Sequence, residues 1–449
     1  MSCHGNNATP PSPAIAPGAE LIDPAAVAAS FGRHPIDPRI PALVPGFDAP
    51  FFQAGLAGYS DAAMRIIARH HGCPFCITEA LLDRVLLAGG RGFDKADLGD
   101  LRDNIPGGDA DHPLAGQLMG SEPQEMAAAA LKMLEQGARG DRHYKALAWG
   151  RWNPASLPGS RAHAQHGAQP ARPVPAEAPA APVREQSSLS PHERTFEVID
   201  INLACPVKKI SSRARGGHWL REPDGAIAIL RAVRDALPAR IVTSVKLRRG
   251  SDDSPEAERN FFRIFDAAYD LGYSWTTVHG RTVEQKYVGP SRWTFLRDLV
   301  RRNPDRIIFG SGDVWSVHDI FRMLAYTGVR AVSVARGCIG NPWIFRQARL
   351  MMAGAEPQPP TLAEQHAVLR RHFDLCAALH GPDRAGVLMR KFAVRFAAHH
   401  PRPDEVKRRF LTASTPTDWL QAISDLYEPP TAGASTDSRT QIPSMHAIS

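Results

Sequence analysis

Cysteine is scarce in this chain: six residues among 449, at positions 3, 73, 76, 205, 338 and 376. That is too sparse for a disulfide framework in a protein of this size, and it points to a reducing compartment. No apolar run is long enough to span a bilayer, so no membrane partner is expected. The segment Met1 to Pro17 lacks the basic and apolar regions of a secretory leader. No arginine precedes Arg33, which argues against a mitochondrial presequence. The expected location is the cytoplasm. No G-x-G-x-x-G follows the first strand candidate and no Walker A lysine motif occurs, so neither a Rossmann dinucleotide site nor a P-loop is supported.

What is present bounds the fold. The chain is long enough for one large domain and a smaller one, and 43% hydrophobic residues suffice for a sizeable core. Its formal net charge of +7 favours polyanionic partners without specifying one. Residues 1–44 are rich in Ala and Pro without a sustained apolar period, and read as a flexible extension with one short helix near Pro24 to Phe31. A Pro/Ala-rich stretch at about 139–193 excludes helix interiors and central strands, and reads as a disordered insertion. A smaller interruption is expected around Gly89 to Asp111. The Thr/Ser/Pro-rich tail, 429–449, reads as disordered.

With those pieces set aside, eight short apolar runs alternate with helix-like stretches. The strand candidates are Phe51 to Ala54, Phe75 to Glu79, Leu114 to Met119, Val198 to Asn202, Ile241 to Leu247, Thr276 to His279, Ile307 to Gly310 and Ala331 to Ala335. Several intervening helices open on Ser, Asp or Pro, and Gly137, Gly272 and Gly328 fall at helix ends. The pattern predicts an α/β protein, a (β/α)8 TIM barrel over 45–353. A doubly wound open sheet is the rival arrangement. Beyond Ala353 only helical spacing continues, and 354–428 is read as a small all-helical domain.

Polar residues recur where the strands end. Gly55 to Gly58 follows the first strand, Thr78-Glu79 ends the second, and Gln117 lies in the third. Asn202 and Cys205 follow the fourth, Lys246 and Arg248 end the fifth, and His279 ends the sixth. Gly310-Ser311-Gly312-Asp313 follows the seventh strand and Ala335-Arg336-Gly337 the eighth. A barrel gathers all of these on one rim. Two consecutive glycine turns opening onto helix N-termini, with Arg336 adjacent, suit a phosphate group. Lys246 interrupts an apolar strand, which is costly unless its charge meets another. Taken singly, Gln117 and His279 are as compatible with structural roles. The Cys73-Pro74-Phe75-Cys76 pair has no second pair at zinc-site spacing and reads as packing; no metal site is expected.

Two stretches carry a family resemblance: Asn202-Leu203-Ala204-Cys205-Pro206-Val207-Lys208-Lys209, and His279-Gly280-Arg281-Thr282 through Gln285, Tyr287, Gly289 and Pro290. They resemble the signature stretches of the tRNA-dihydrouridine synthases, in the manner of the bacterial members. The segments Ala54 to Asp61, Thr78-Glu79, Gln117 to Gly120, Lys246 to Arg248, Gly310 to Asp313, Ala335 to Trp343 and Met389 to Phe392 follow in the family's order. The resemblance covers roughly 49–410. The chain departs from the family pattern at Ala204, where a Gly usually stands, and at Gly55-Leu56, where Pro-Met is usual.

The resemblance implies FMN held by Gly55, Leu56, Ala57, Gln117, Lys246 and His279, with its phosphate at Ser311, Gly312, Asp313, Ala335 and Arg336. It implies NADPH as reductant and Cys205 as the catalytic acid. A thiol is mostly protonated at neutral pH and can deliver a proton to C5 of a uracil that has accepted hydride at C6. Asn202, Arg248 and Arg281 are the candidates for contact with the nucleotide. Arg390, Lys391 and Arg395, among other basic residues after 354, are the candidates for the tRNA backbone. A monomer acting on one tRNA is expected. Two other readings remain open at this point: a flavin barrel acting on a free small molecule, and an RNA-binding module without flavin.

Overall fold

The computed structural model describes residues 16–33, 36–88, 109–135, 195–206 and 215–427. Eight parallel strands form a closed barrel: β1 (Phe51–Gln53), β2 (Cys76–Ile77), β3 (Leu114–Met119), β4 (Val198–Asn202), β5 (Val242–Arg248), β6 (Trp275–His279), β7 (Ile308–Ser311) and β8 (Ala331–Val334). Each strand pairs with its neighbour in sequence, and β1 pairs with β8 through Phe51↔Val332 to close the ring. A ninth short strand, Leu81–Leu82, leans on the end of β3. The open-sheet alternative is thereby set aside.

The strands are apolar on both faces because one face fills the barrel and the other meets helices. Their inward rows change character along the strand. Val198, Trp275 and the partly buried Val242 sit with Phe52, Phe75 and Phe309 in an apolar cluster toward the strand starts. Two residues on, the same rows carry Asp200, Ser244 and Thr277; two further, they carry Asn202, Lys246 and His279. The barrel is thus oily at its N-terminal end and polar at its C-terminal rim.

The helices are α1 (Pro24–Arg33), α2 (Arg39–Leu43), α3 (Ala62–His70), α4 (Asp83–Leu87), α5 (described over 123–135), α6 (Pro223–Ala236), α7 (Pro255–Asp270), α8 (Trp293–Arg302), α9 (Val317–Thr327) and α10 (Trp343–Met352). Capping residues set their ends. Asp61 accepts from Met64 N at the start of α3, Ser254 from Ala257 N at α7, and Ser316 with Asp319 forms a capping box at α9. Four more helices follow: α11 (Leu362–His380), α12 (Pro382–Phe396), α13 (Pro403–Thr412) and α14 (Pro416–Tyr427). They pack around Phe373, Met389, Phe410 and Trp419, all buried.

One expectation is corrected. Residues 16–33 and 36–44 do not form a loose lead-in. Helix α1 lies against α9 and α10 with Ala28 fully buried. Ile40 of α2 and Val44 just after it join Phe47 inside the apolar cluster, where the Phe47 ring stacks on Phe75 at 4.7 Å. This segment stoppers the oily end of the barrel, which would otherwise be open to water. The Pro/Ala-rich insertion and the tail lie outside the described residues, as does nearly all of the interruption expected at 89–111. Among the described residues, no helix is long and apolar enough to cross a membrane.

Candidate active site

The polar rim opens into a cavity of about 150 Å³. Its wall contains Gly55, Leu56 and Ala57 after β1, Gln117 in β3, Asn202 and Cys205 at the end of β4, and Lys246 and Arg248 of β5. His279, Ser311, Gly312, Asp313, Ala335 and Arg336 complete the circle. Arg281 is not part of that wall. Arg390, Lys391 and Arg395 sit on α12 and are not among its wall residues.

A buried relay ties three strands together beneath the cavity. Asn202 Nδ2 donates to Gln117 Oε1 (2.8 Å), Gln117 Nε2 to Asp200 Oδ2 (2.7 Å), and Ser244 Oγ to Asp200 Oδ1 (2.6 Å). Burial raises the pKa of Asp200 and lowers that of Lys246, each partly offset by the other's charge. Asn202 Oδ1 also accepts from Ala204 N (3.0 Å), which holds the turn that presents Cys205.

Arg248 secures that turn from the other side. Its guanidinium donates to Ala204 O (3.0 Å), Thr282 O (2.8 Å) and Lys286 O (2.8 Å). It therefore joins the cysteine turn to the loop after β6. Burial lowers its pKa to about 10, so it remains a cation at neutral pH. His279 is half-buried beside Arg248, Arg281 and Lys246, and desolvation and these cations take its pKa well below the usual histidine value. Its ring is neutral, and Nδ1 accepts from Arg281 N (3.1 Å), so the proton resides on Nε2.

The two glycine turns are built against each other. A Cβ at Gly312, where φ is +113°, would lie 2.3 Å from Ser291 Oγ, and one at Gly337 would lie 2.4 Å from Val314 O. Asp313 does not offer its carboxylate to a ligand. Both oxygens receive Arg281 Nη2 at 2.8 Å, and one also accepts from Ser291 N (2.6 Å). Arg281 is only 2% exposed and is committed to this pair and to Gly289 O, not to the cavity where it was expected. Arg336 stays partly exposed, with its guanidinium over the rings of Trp315 (4.5 Å) and Tyr287 (4.9 Å).

Met119 and Tyr287, which lie in the resembling segments without a role assigned there, and Trp315 and Ser333, which the sequence does not single out, also line the cavity. Ser333 shares the inward parity of Ala331 and Ala335, which was the available signal.

The helices beyond Met352 touch the loop after β1. Lys391 Nζ donates to Gly58 O and lies over the Tyr59 ring at 5.1 Å. His380 Nε2 stands 3.3 Å from Asp61 Oδ2. Asp61, His380 and Cys376 form the one trio of metal-capable groups among the described residues, with donor atoms within 4.8 Å of one another. Arg390 spends its guanidinium on Ala413 O (2.8 Å). Arg370, Arg402, Lys407 and Arg409 are paired with Asp374, Glu405, Asp404 and Asp425. Arg371, Arg395 and Arg408 carry no ion pair among the described residues.

A parallel barrel with a thiol, a lysine and paired glycine turns on one rim defines a class of α/β proteins with a rim-built site. Residues 186–428, over half the chain, match the family model described as dihydrouridine synthase, and the chain belongs to that family. The match begins after β3. Relatives include a "Probable tRNA-dihydrouridine synthase" of Treponema pallidum (strain Nichols), 34% identical over 233 residues, covering 51% of this chain and 68% of that protein. A "tRNA-dihydrouridine synthase B" of Proteus vulgaris is 30% identical over 233 residues, covering 52% of this chain and 70% of that one. A "Probable tRNA-dihydrouridine synthase" of Mycobacterium leprae (strain TN) is 31% identical over 220 residues, and the chain spans 56% of its length.

Proposed function

We propose that this protein reduces uridine in tRNA to 5,6-dihydrouridine with FMN as cofactor and NADPH as reductant. The observation that carries the reading is the placement of Cys205 in the wall of one cavity with Lys246, His279 and the two glycine turns. Flavin fits the residues present. Ser333 Oγ is a buried polar atom of the cavity wall with no hydrogen-bond partner among the described residues. Lys246 stands half-buried at the same wall, and the turns at Gly312 and Ala335-Arg336 offer backbone N–H groups to a phosphate.

FMN bound there and reduced by NADPH supplies the hydride taken up at C6 of the uracil. The remaining work falls to this chain's side chains. Cys205 Sγ gives its proton to C5: the S–H bond breaks, the C5–H bond forms, and the thiolate regains a proton from solvent. Lys246 offsets negative charge near the ring system, and the Nε2–H of His279 donates to an acceptor in the cavity. Arg281 acts one step back, by holding Asp313 and the turn.

The uracil must leave its stack to reach the cavity, at a cost of a few kcal/mol. Backbone contacts at Arg371, Arg395 and Arg408 of the helical region offset that cost. The setting for such chemistry is the cytoplasm, and one protein molecule serves one tRNA.

The test is direct. Flavin-loaded protein, NADPH and tRNA free of dihydrouridine are combined, and nucleosides are analysed by mass. The expected product is heavier by two hydrogen atoms, and Cys205→Ala slows its formation by about 10²–10⁴-fold. No dihydrouridine from the flavin-loaded protein, or an unchanged rate in Cys205→Ala, would overturn the assignment.

A further inference from the structure

The turn carrying Cys205 has a backstop. Its back face is covered by the segment Arg215–Leu220. Gly217 N donates to Cys205 O at 3.0 Å. Gly216 presses closer: a Cβ placed on it would lie 2.9 Å from Cys205 Cβ and 3.0 Å from Met119 Sδ. Its φ is +55°, a conformation that L side chains rarely adopt. A Cβ on Gly217 would in turn lie 2.9 Å from Cys205 O and 2.8 Å from Val283.

The segment itself is anchored at both ends. Arg215 faces the buried carboxylate of Asp83 at 3.8 Å. Trp219 Nε1 donates to Gly120 O at 3.1 Å, just past β3. Cys205 is therefore held on three sides: by Asn202 and Arg248 through Ala204, by Pro206 in the chain, and by Gly216-Gly217 behind it. A side chain at Gly216 would press on Cys205 Cβ and one at Gly217 on Cys205 O, so the glycines leave the turn where it stands.

We infer that Gly216 is a positioning residue for the Cys205 thiol, setting where the sulfur stands over the cavity. The inference rests on the proposed role of Cys205 as proton donor. The added methyl of Gly216→Ala has two neighbours. Met119 can rotate its sulfur away, whereas Cys205 Cβ sits on a backbone fixed by Pro206 and moves as a unit with the thiol. A displacement on the order of 1 Å at a reacting group can cost about 100-fold in rate.

The experiment separates the two half-reactions in the full-length, flavin-loaded protein. In Gly216→Ala, flavin retention and NADPH-driven bleaching of the flavin stay within about twofold of the parent. Reoxidation of the bleached flavin by tRNA falls by about ten- to a hundredfold. The same substitution in a Cys205→Ala background costs less than about twofold more, because the thiol it displaces is already gone. Arg215→Met, which loosens the segment without adding an atom, slows the same half-reaction and keeps the inference testable if Gly216→Ala fails to fold.

Reoxidation unchanged in a folded variant would overturn the inference, as would both half-reactions falling together or an undiminished cost in the Cys205→Ala background. A Cys205→Ala protein as fast as the parent would instead strike the proposed function and leave the geometry as it is.

Discussion

Asn202 donates its side-chain amide to Gln117 across the β3–β4 pair at 2.8 Å, and its oxygen holds Ala204 N at 3.0 Å. One side chain thus fixes both a residue of the cavity floor and the turn that carries the thiol. Asn202→Ala leaves Gln117 Oε1 and Ala204 N without these partners in a buried place. The expected loss is about 1–3 kcal/mol in urea unfolding, with a larger fall in tRNA-dependent flavin oxidation than in NADPH-dependent reduction. Equal losses in both steps would show that the relay serves the fold alone.

Arg248 reaches three backbone carbonyls on two separate loops. Arg248→Met removes all three bonds, and a loss on the order of 3 kcal/mol is expected, measured as a lowered urea midpoint. Arg248→Lys recovers little of it, because one ammonium cannot match the planar fork that spans Ala204, Thr282 and Lys286. Full recovery by lysine would mean that charge, not geometry, matters at this position.

His372 is buried against Phe392 and Phe396, and neither ring nitrogen has a hydrogen-bond partner among the described residues. Burial drives its pKa from 6.5 to about 4. Between those values the unfolded chain binds the extra proton and the folded chain does not. Stability is complete above about pH 6.5 and falls as the pH drops toward 4, by roughly 3 kcal/mol from this group. His279, lowered for the same reason, adds to the same acid loss. His372→Phe is expected to flatten the decline in melting temperature between pH 6.5 and 4.5 and to cost little at pH 7.5, since no hydrogen bond is lost. An unchanged acid slope would refute the assignment.

Arg395 has no ion pair among the described residues and sits on α12. If it meets a phosphate, Arg395→Gln lowers the salt slope of tRNA binding by about one and weakens all tRNA sequences alike. Arg402→Gln, already paired with Glu405, changes the slope less. Titrations at several salt concentrations distinguish the two.

The barrel was legible because its strands are short apolar runs closed by polar residues. The inward row of β4, Val198-Asp200-Asn202, even shows the change from oil to rim within one strand. Asp200 escaped notice as a relay member because a lone acid in an apolar run declares no partner. Arg281 was read as a ligand because the sequence places it beside His279. Only the folded chain shows that Asp313, far along the sequence, takes its charge. The plug formed by Ile40, Val44 and Phe47 was missed for another reason: α2 spans Arg39–Leu43, too short to display a period.

The contacts of Lys391 with Gly58 and of His380 with Asp61 bear on how this protein can be dissected. A chain cut after Met352 sheds its cationic surface, but it also strips the brace from the loop that forms one side of the chamber. Loss of activity in such a fragment would therefore say nothing about RNA docking. Point changes on the outer face of the last helices are the cleaner instrument.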